Sequence, residues 1–336
     1  MRHYVIAGAL VVLIGAATYF GLMAIGLMPV EASAQSIPID QLWNLEVATI
    51  SFLFALIVVP LVYSLIVFRR RKGDTTDAEH IDGNTSLEVT WTVIPLVIVV
   101  VFAYLGSYSL RETRKVDPNA LVIKVTARQW DWTFEYPQGF ATNELHLPIN
   151  KQVVLEMTST DVIHSFWVPE FRIKQDVVPG RVTEYRINPI LAGRYTVRCA
   201  ELCGASHAYM ERPVIVSSAG EYEAWVNQQA ATAAAAAAQG GPENGKLLVA
   251  AKGCSGCHSV DGTRSVGPTW QGLFNSTVKL ADGTTVTAND AYLHESIVDP
   301  GAKVVDTFPA ELMPSYKDTL TDAQLNDVIS YIKTLK

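Results

Sequence analysis

Three long apolar stretches dominate the first third of the sequence, and mixed polar and apolar positions make up the rest. The apolar stretches cover residues 5–28, 45–68 and 89–109. Each is long enough to cross the hydrocarbon layer of a bilayer as one α-helix, which needs about 20 apolar residues. Pro60 lies inside the second stretch, where a membrane-spanning helix tolerates it. The pattern predicts a membrane-embedded helical hairpin with one further apolar segment before it.

The first apolar stretch has two interpretations. It follows Arg2 and His3 and ends near Ala32-Ser-Ala34, a small-residue pattern like the cleavage site of a secretory signal. It is also longer than the apolar core of an ordinary signal, which favours a retained membrane helix. We expect residues 1–34 to be a signal peptide or an extra transmembrane helix, with cleavage after Ala34 the favoured alternative.

A basic cluster orients the predicted hairpin, residues 36–112. Residues 69–72 read Arg-Arg-Arg-Lys directly after the second apolar stretch, and such clusters mark the cytoplasmic end of a membrane helix. Trp91, Tyr104 and Tyr108 lie near the ends of the third stretch, where aromatic side chains anchor helices at the interface. The hairpin therefore returns the chain to the outer face, where we expect the remaining residues.

The rest of the chain divides into a β-rich part and a helical part. Residues 113–218 contain short segments rich in β-branched and aromatic residues, separated by Pro, Gly and Asn, which predicts an antiparallel sandwich or barrel. Residues 219–241 are Ala-rich and end in Gly240-Gly241. Ala has the highest helix propensity, so this segment predicts a helical spacer that is flexible at its glycines. Residues 242–336 are mostly helical in pattern and close with an amphipathic segment.

Composition agrees with a few membrane helices joined to a large polar part. Hydrophobic residues make up 49% of the chain and the mean hydropathy is +0.20, which is high for a soluble protein and modest for a polytopic one. The net charge of −7 gives no reason to expect nucleic acid as a partner. The four Cys form two close pairs, each with His nearby, which favours metal or cofactor binding over a disulfide framework.

The first Cys pair belongs to a segment with a soft set of metal donors. Cys199, Cys203, His207 and Met210 lie close together in sequence, and His164 lies upstream. Thiolate and imidazole select copper or zinc, and a weak axial thioether is typical of electron-transfer copper. Two Cys on one short loop can each bridge two metals, so the segment predicts a dinuclear copper centre. A disulfide and a zinc site are the alternatives, and neither needs the Met or the upstream His.

This pattern resembles the CuA motif of cytochrome c oxidase subunit II. A His followed by Cys-x-Glu-x-Cys-x-x-x-His-x-x-Met fills every position of that motif. The resemblance implies that Cys199 and Cys203 bridge the coppers, that His164 and His207 are terminal ligands, and that Met210 is axial on one copper. It also implies an all-β, cupredoxin-like Greek-key barrel around the site.

The same resemblance implies roles for three further residues. The backbone carbonyl of Glu201 would be axial on the other copper, and its side chain would contact a magnesium ion shared with subunit I. Trp130 matches an exposed Trp over which a donor docks and which passes electrons to copper; core packing is its alternative. Glu88 matches a residue at the mouth of a proton-uptake path into subunit I; a solvated carboxylate is its alternative.

The second Cys pair has the spacing of a covalent haem site. Cys254 and Cys257 are followed directly by His258, the C-x-x-C-H signature in which the thiols bond the haem and the His is axial. A thioredoxin-like pair and half of a zinc site are the alternatives. Met313 or His294 would supply the second axial ligand. Met313 is favoured because its segment resembles the Met loop of a c-type cytochrome, and a His/Met pair raises the haem potential.

From about residue 36 the order of modules resembles subunit II of a caa-type cytochrome c oxidase. This implies a multidomain membrane protein with a transmembrane helical hairpin, a CuA cupredoxin domain and a fused all-α class I cytochrome c domain. It implies a bacterial plasma membrane location with two or three spans and both redox domains on the outer face. Electrons would pass from a donor such as cytochrome c to haem c, to CuA and to subunit I, which reduces O2 to water with proton translocation.

Other functions remain open at this point. The chain could be the electron-accepting subunit of a CuA-containing nitric oxide reductase, or a membrane-anchored electron carrier or copper-delivery protein without an oxidase. A nitrous-oxide reductase is disfavoured because no such hairpin leads into its CuA domain and the chain lacks a long catalytic domain. A quinol oxidase subunit II is disfavoured because those relatives lack the copper ligands.

Overall fold

The computed structural model describes residues 1–77, 80–310 and 312–336. Contacts divide the chain into two compact units, Met1–Lys115 and Val116–Lys336. The first unit is helical. The second combines a β-sandwich with a small helical module, and it contains both Cys pairs.

The described residues of the first unit form three long helices: α1 (Arg2–Ile25), α2 (Ser36–Val67) and α3 (Thr85–Thr113). Each is long and apolar enough to cross a membrane, so the three apolar stretches are confirmed as helices. Gly15 allows α1 to pack closely on α2, since a Cβ there would lie 3.6 Å from the Cβ of Ala55. The apolar side chains of α3 are mostly exposed, as expected of a helix covered by lipid or by another protein.

Ten strands form the β-sandwich of the second unit: β1 (Leu121–Arg128), β2 (Asp131–Tyr136), β3 (Phe140–Thr142), β4 (Leu145–Pro148), β5 (Val153–Ser159), β6 (His164–Trp167), β7 (Lys174–Val177), β8 (Thr183–Ile187), β9 (Gly193–Cys199) and β10 (Glu211–Ser217). They make two five-stranded sheets, in the orders β3-β2-β1-β5-β8 and β4-β10-β9-β6-β7. Alternate residues of β1 and β5 point into the space between the sheets, where Trp132 packs edge-on against Phe166 at 5.4 Å between ring centroids.

The prediction of a purely antiparallel sandwich is wrong at two pairs of strands. β1 pairs with β5 in parallel, and β4 pairs with β10 in parallel. A parallel pair needs a crossover connection, and β2, β3 and β4 provide it for β1 and β5. Strand character is a local property of the sequence, whereas the partner of each strand depends on this long connection.

The helical module contains α4 (Ala219–Gln239), α5 (Pro242–Ala251), α6 (Asp290–Val298) and α7 (Asp322–Thr334), with a short hairpin of β11 (Thr277–Lys279) and β12 (Thr285–Thr287). A capping box of Ser218 and Glu221 starts α4. α5 crosses α7 at Gly245, where a Cβ would lie 2.0 Å from the carbonyl oxygen of Asp327. Only glycine allows that approach. The hairpin is a feature that the sequence analysis missed.

The Ala-rich helix α4 packs against the β-sandwich. Trp225 on α4 stacks on the ring of His146 in β4, with 3.7 Å between centroids and an interplanar angle of 10°. Tyr136 and Phe140 meet the same indole edge-on, at 5.1 and 5.5 Å. The predicted spacer is therefore a helix with a fixed docking surface on its first half.

Candidate redox sites

Three neighbouring strands bring the predicted copper donors together. His164 begins β6, which pairs with β9, and Cys199 ends β9. The loop after β9 returns to β10, and the amide of Cys199 donates to the carbonyl of Met210 across the base of that loop at 3.1 Å. Residues distant in sequence thus converge because the sheet places β6, β9 and β10 side by side.

The donor atoms surround the two thiols. The Sγ atoms of Cys199 and Cys203 lie 3.7 Å apart, and both thiols are free; a disulfide would need about 2.05 Å. His164 Nδ1 lies 3.8 Å from Cys199 Sγ, and the carbonyl oxygen of Glu201 lies 3.2 Å from the same sulfur. Two further donors lie near Cys203 Sγ: His207 Nδ1 at 3.5 Å and Met210 Sδ at 3.9 Å.

This arrangement fits a pair of thiolate-bridged copper ions. Each thiol has one imidazole and one weak donor beside it: His164 and the Glu201 carbonyl at Cys199, and His207 and Met210 at Cys203. Soft sulfur and imidazole donors are the chemistry that copper prefers. Among the described residues, His164, Cys199 and Cys203 form a group whose ligand atoms all lie within 4.8 Å of one another.

The two thiols have different protonation. Burial raises the pKa of Cys199, but hydrogen bonds with His164 and with nearby backbone outweigh it and lower that pKa to about 6. Burial and the neighbouring Cys199 raise the pKa of Cys203 to about 12. At neutral pH the metal-free pair therefore holds one proton, which a metal must displace because the thiolate is the ligand.

Asp161 orients His164 and was not singled out in the sequence. Its Oδ1 accepts a hydrogen bond from His164 Nε2 at 2.8 Å, and the His is fully buried. Burial raises the pKa of Asp161, but bonds from His164 and two backbone amides lower it further than burial raises it. The bond leaves Nδ1 to face Cys199. A carboxylate three residues before a metal-binding His is the signal that would have found it.

Trp130 lies beneath the copper loop. Its Nε1 donates to the carbonyl of Cys203 at 3.2 Å, and Gln129 Nε2 donates to the same oxygen at 2.7 Å. Gly204 has φ +119, and a Cβ there would lie 3.1 Å from the Trp130 ring, so glycine fits this position. The resemblance led us to expect an exposed Trp130, but only 5% of it is exposed.

His258, which directly follows the second Cys pair in sequence, lines a largely apolar cavity of about 380 Å³, whereas neither Cys254 nor Cys257 is among the residues that line it. His258 and Met313 both line this cavity, whereas His294 is not among the residues that line it. His258 Nδ1 donates to the carbonyl of Pro268 at 2.8 Å, and its ring stacks on Trp270 at 4.8 Å. Burial lowers the pKa of His258, and the Pro268 bond opposes that shift only in part. The imidazole is therefore neutral and held with Nε2 available, the state in which His binds a metal.

The remaining candidate residues lie on surfaces. The side chain of Glu201 is exposed, while its carbonyl faces Cys199. Glu88 is exposed in the first turn of α3, which is capped by the Asn84 side chain accepting from the amide of Leu87 at 3.0 Å. The structure leaves the magnesium and proton-path assignments as predictions.

Three family models match the chain in order. They are described as cytochrome c oxidase subunit II, transmembrane domain (residues 20–111), cytochrome c oxidase subunit II, periplasmic domain (residues 140–219), and cytochrome c (residues 242–336). The subunit II domain implies CuA, and the cytochrome c domain implies haem c. Together with the observed helices and strands, they confirm the predicted fold class.

Curated relatives share most of this organisation. Cytochrome c oxidase subunit 2 of Synechocystis sp. is 36% identical over 249 residues, which are 60% of this chain and 75% of that protein. The subunit 2 of Alkalihalophilus pseudofirmus is 32% identical over 304 residues, 87% of this chain and 86% of that protein. The crystal structure of the periplasmic domain of subunit II of cytochrome oxidase of Bradyrhizobium japonicum is 32% identical over 35% of this chain and 96% of that chain, with a TM-score of 0.32. On the two subunit 2 relatives and the three matched domains, this chain belongs to the cytochrome c oxidase subunit II family and carries a fused cytochrome c domain.

Proposed function

We propose that this chain is the electron-accepting subunit of a terminal cytochrome c oxidase. It would take electrons from an external donor at haem c, pass them to CuA and deliver them to the haem-copper subunit, which reduces O2 to water with proton translocation. The observation that carries the proposal is the convergence of two thiols, two imidazoles, a thioether and a carbonyl at one loop, in the same compact unit as a C-x-x-C-H motif.

The proposed copper ligands are those that the motif predicts. The residues that would hold the copper ions are Cys199, Cys203, His164, His207, Met210 and Glu201, the last through its carbonyl. His164 and Cys199 lie in β6 and β9, and the other groups lie on the loop that joins β9 to β10. Anchoring by this sheet would limit the rearrangement of the ligands when the charge of the site changes. The site would therefore suit electron transfer better than catalysis.

Two of the proposed haem-binding residues, His258 and Met313, line the helical module's cavity. Cys254 and Cys257 would bond the haem covalently, and His258 and Met313, which line the cavity, would hold its iron. Pro268 fixes the orientation of the His258 ring through its carbonyl. A His/Met pair beside a largely apolar lining would favour a high potential. When bound, the haem and the copper pair would each supply a reversible one-electron couple.

Three further assignments belong to the same proposal. Trp130 would be the electron-input residue of the copper site, supported by its hydrogen bond to the carbonyl of the proposed ligand Cys203. Glu88 would stand at the mouth of a proton-uptake path on the cytoplasmic side. The Glu201 side chain would contact a magnesium ion at the junction with subunit I, since it is exposed beside the copper loop.

We also propose a domain division and a membrane topology. Residues 36–112 would be the transmembrane hairpin, 113–218 the CuA domain, 219–241 the linker and 242–336 the cytochrome c domain. The basic residues 69–72 would lie in the cytoplasm, and both redox domains would lie on the outer face of a bacterial plasma membrane. Residues 1–34 would be a cleaved signal or a third span.

Electron paramagnetic resonance with metal counts on the full chain, loaded with copper and haem, tests the proposal. One electron shared equally by two copper nuclei gives seven hyperfine lines, whereas an isolated copper gives four. We expect two coppers and one iron per chain with the seven-line pattern. Cys203→Ser should remove this pattern, whereas the matched control Ser206→Ala on the same loop should retain it.

A four-line spectrum, or zinc in place of copper, would contradict the dinuclear assignment. The partner is tested separately by isolating the chain with its catalytic subunit from detergent-solubilised membranes. Oxygen consumption that depends on this chain supports the oxidase. Nitric oxide reduction without oxygen consumption would favour the nitric oxide reductase alternative, and the absence of any haem-copper partner would favour a free-standing carrier.

A further inference from the structure

The haem-attachment loop of the helical module lies directly on the turn that carries Trp130. We call residues 128–131 the β1–β2 turn and residues 252–257 the haem loop. Cys257 Sγ lies 3.8 Å from the carbonyl oxygen of Gln129. A Cβ on Gly256 would lie 2.8 Å from the Cβ of Asp131 and 3.2 Å from the carbonyl oxygen of Trp130. The two segments are therefore in backbone contact.

Arg128 links this turn to two groups of the helical module. Its Nη1 donates to the carbonyl of Lys252 and to the hydroxyl of Tyr316, the latter at 2.9 Å. The Tyr316 hydroxyl itself donates to the Lys252 carbonyl at 3.1 Å. The Arg128 stem also runs along Gly253, where a Cβ would lie 2.9 Å from Cδ. One cation at the end of β1 therefore holds the start of the haem loop.

Asp131 holds the middle of the haem loop from the other end of the turn. Its Oδ2 accepts a hydrogen bond from Ser255 Oγ at 3.2 Å, and its Oδ1 accepts from Arg212 Nε at 2.6 Å. Only 1% of Asp131 is exposed. The paired Arg212 compensates the buried charge, so Asp131 can present its second oxygen to the loop.

We propose that Arg128 and Asp131 are positioning residues that hold the haem loop against Trp130, closing that surface to external donors. This inference rests on the proposed electron-input role of Trp130. Trp130 is 5% exposed and the haem loop lies against its backbone, so a soluble protein donor meets the helical module first. One electron then leaves that donor for the haem, one leaves the haem for the copper site, and no proton is transferred.

The sharpest test is a substitution that adds a methyl group at Gly256, which we call the wedge variant. Gly256→Ala adds one methyl group at the contact, and Gly256 does not have a positive φ, so the backbone tolerates the change. Overpacking of this kind shifts a docked-to-undocked ratio by about 5- to 150-fold. The matched control is Gly301→Ala in the same module, where a Cβ meets nothing within 4 Å.

Two measurements on the full chain loaded with copper and haem report the result. Amide hydrogen exchange of residues 128–131 and 252–257 reports docking, and we expect faster exchange in the wedge variant only. Flash photoreduction of the haem reports transfer to copper, and we expect it to slow in the wedge variant while the haem potential and the copper spectrum stay unchanged. An unchanged driving force with a slower rate indicates a longer path.

A soluble reduced cytochrome c tests whether the Trp130 surface is closed to external donors. In the unmodified chain and in Gly301→Ala we expect the haem to be reduced before the copper. In Gly256→Ala we expect direct reduction of copper to appear alongside that of the haem, because the Trp130 surface opens. Copper reduction by this probe that is independent of the haem in the unmodified chain would overturn the closure.

Arg128 gives a second, non-steric test. Arg128→Met keeps the stem and removes the donors, and hydrogen bonds to charged groups are worth enough to shift the docked population about 10- to 100-fold. We expect the same exchange and rate changes, with partial rescue by Arg128→Lys. Unchanged exchange in both Arg128→Met and Gly256→Ala would overturn the docking, and faster exchange with an unchanged transfer rate would overturn the positioning role.

Failure of the proposed function gives a different result. If the unmodified loaded chain lacks the seven-line spectrum or shows no haem-to-copper transfer, the electron relay itself is wrong. The exchange measurement still decides whether Arg128 and Asp131 hold the loop on the turn, since it requires no electron transfer.

Discussion

At the scale of single residues, the copper loop shows how one environment gives two identical side chains different properties. Cys199 lies beside His164 and backbone donors, so its pKa falls to about 6. Burial, together with the neighbouring Cys199 thiolate, raises the pKa of Cys203 to about 12. The positions of both depend on residues that bind no metal, above all Asp161, whose carboxylate fixes the His164 ring.

Asp161→Asn should weaken copper binding without unfolding the β-sandwich. The amide can still accept from the backbone but no longer provides a charged acceptor for His164 Nε2. Loss of such a partner costs about 10- to 100-fold in metal affinity. Competitive copper titration of the metal-free chain measures the change, and Glu135→Gln, at an exposed position of β2, is the control. Equal affinity in Asp161→Asn and the parent would show that Asp161 has no such role.

Met210→Leu separates the packing of this residue from its donor. Met210 is fully buried, and a volume-conserving replacement costs less than about 1.5 kcal/mol. We expect folding and copper content to persist while the copper spectrum and potential change, because the axial thioether tunes such a site. A spectrum and potential identical to those of the parent would remove Met210 from the ligand set.

At the scale of elements, α4 illustrates the difference between propensity and packing. Its Ala content makes it helical by itself, but the stack of Trp225 on His146 places it against the β-sandwich. His146 is faced by Glu144, with Nε2 to Oε2 at 3.5 Å, and by the charge of Arg194. Burial lowers the pKa of His146 below 6.5, and the Glu144 contact offsets this only in part.

Acidification should therefore loosen this contact. A lowered folded-state pKa means that the unfolded chain binds the proton more tightly, so this contribution to stability is complete above pH 6.5 and is lost as the pH falls through the folded-state pKa. His146→Phe retains an aromatic stack and removes the titration. The midpoint temperature of thermal unfolding is measured above and below this pH window. Its fall on acidification should be smaller in His146→Phe than in the parent. The same pH dependence in both proteins would exclude His146 as its source.

At the scale of the whole molecule, the proposed proton and electron functions belong to different compact units. Glu88 lies in the helical unit, Met1–Lys115, and every proposed copper and haem ligand lies in Val116–Lys336. Within the second unit the copper loop, Trp130 and the haem loop are linked by consecutive hydrogen bonds and contacts. A change in one unit should therefore leave the other function intact.

Glu88→Gln should slow proton uptake by the reconstituted oxidase while haem-to-copper transfer keeps its rate. The amide retains the size of the side chain at the start of α3 and removes the carboxyl group that can take up and release a proton. Proton release and electron transfer are measured in the same vesicles, with Asp77→Asn as an exposed control in the preceding loop. Normal proton uptake in Glu88→Gln would assign this residue to ordinary surface solvation.

The sequence by itself determined the features that depend on neighbouring residues. The lengths of the apolar stretches predicted α1, α2 and α3, and the spacing of soft donors predicted where a copper centre and a haem would bind. Composition predicted a helical spacer over residues 219–241, where the helix spans Ala219–Gln239, and strand-forming residues between turn residues predicted the strand-rich region. Each of these depends on a periodicity, a spacing or a propensity that a short window contains.

Only the tertiary structure decided the features that join distant segments. The parallel pairing of β1 with β5, the orientation of His164 by Asp161 and the docking of α4 through Trp225 each require a particular neighbour in space. Trp130 is the clearest case. An aromatic residue in a turn between strands is compatible with exposure or burial. Here Trp130 is 5% exposed, its indole lies on the carbonyl of Cys203, and its backbone lies against a loop more than a hundred residues later. Packing between distant segments, which no local pattern contains, sets that outcome.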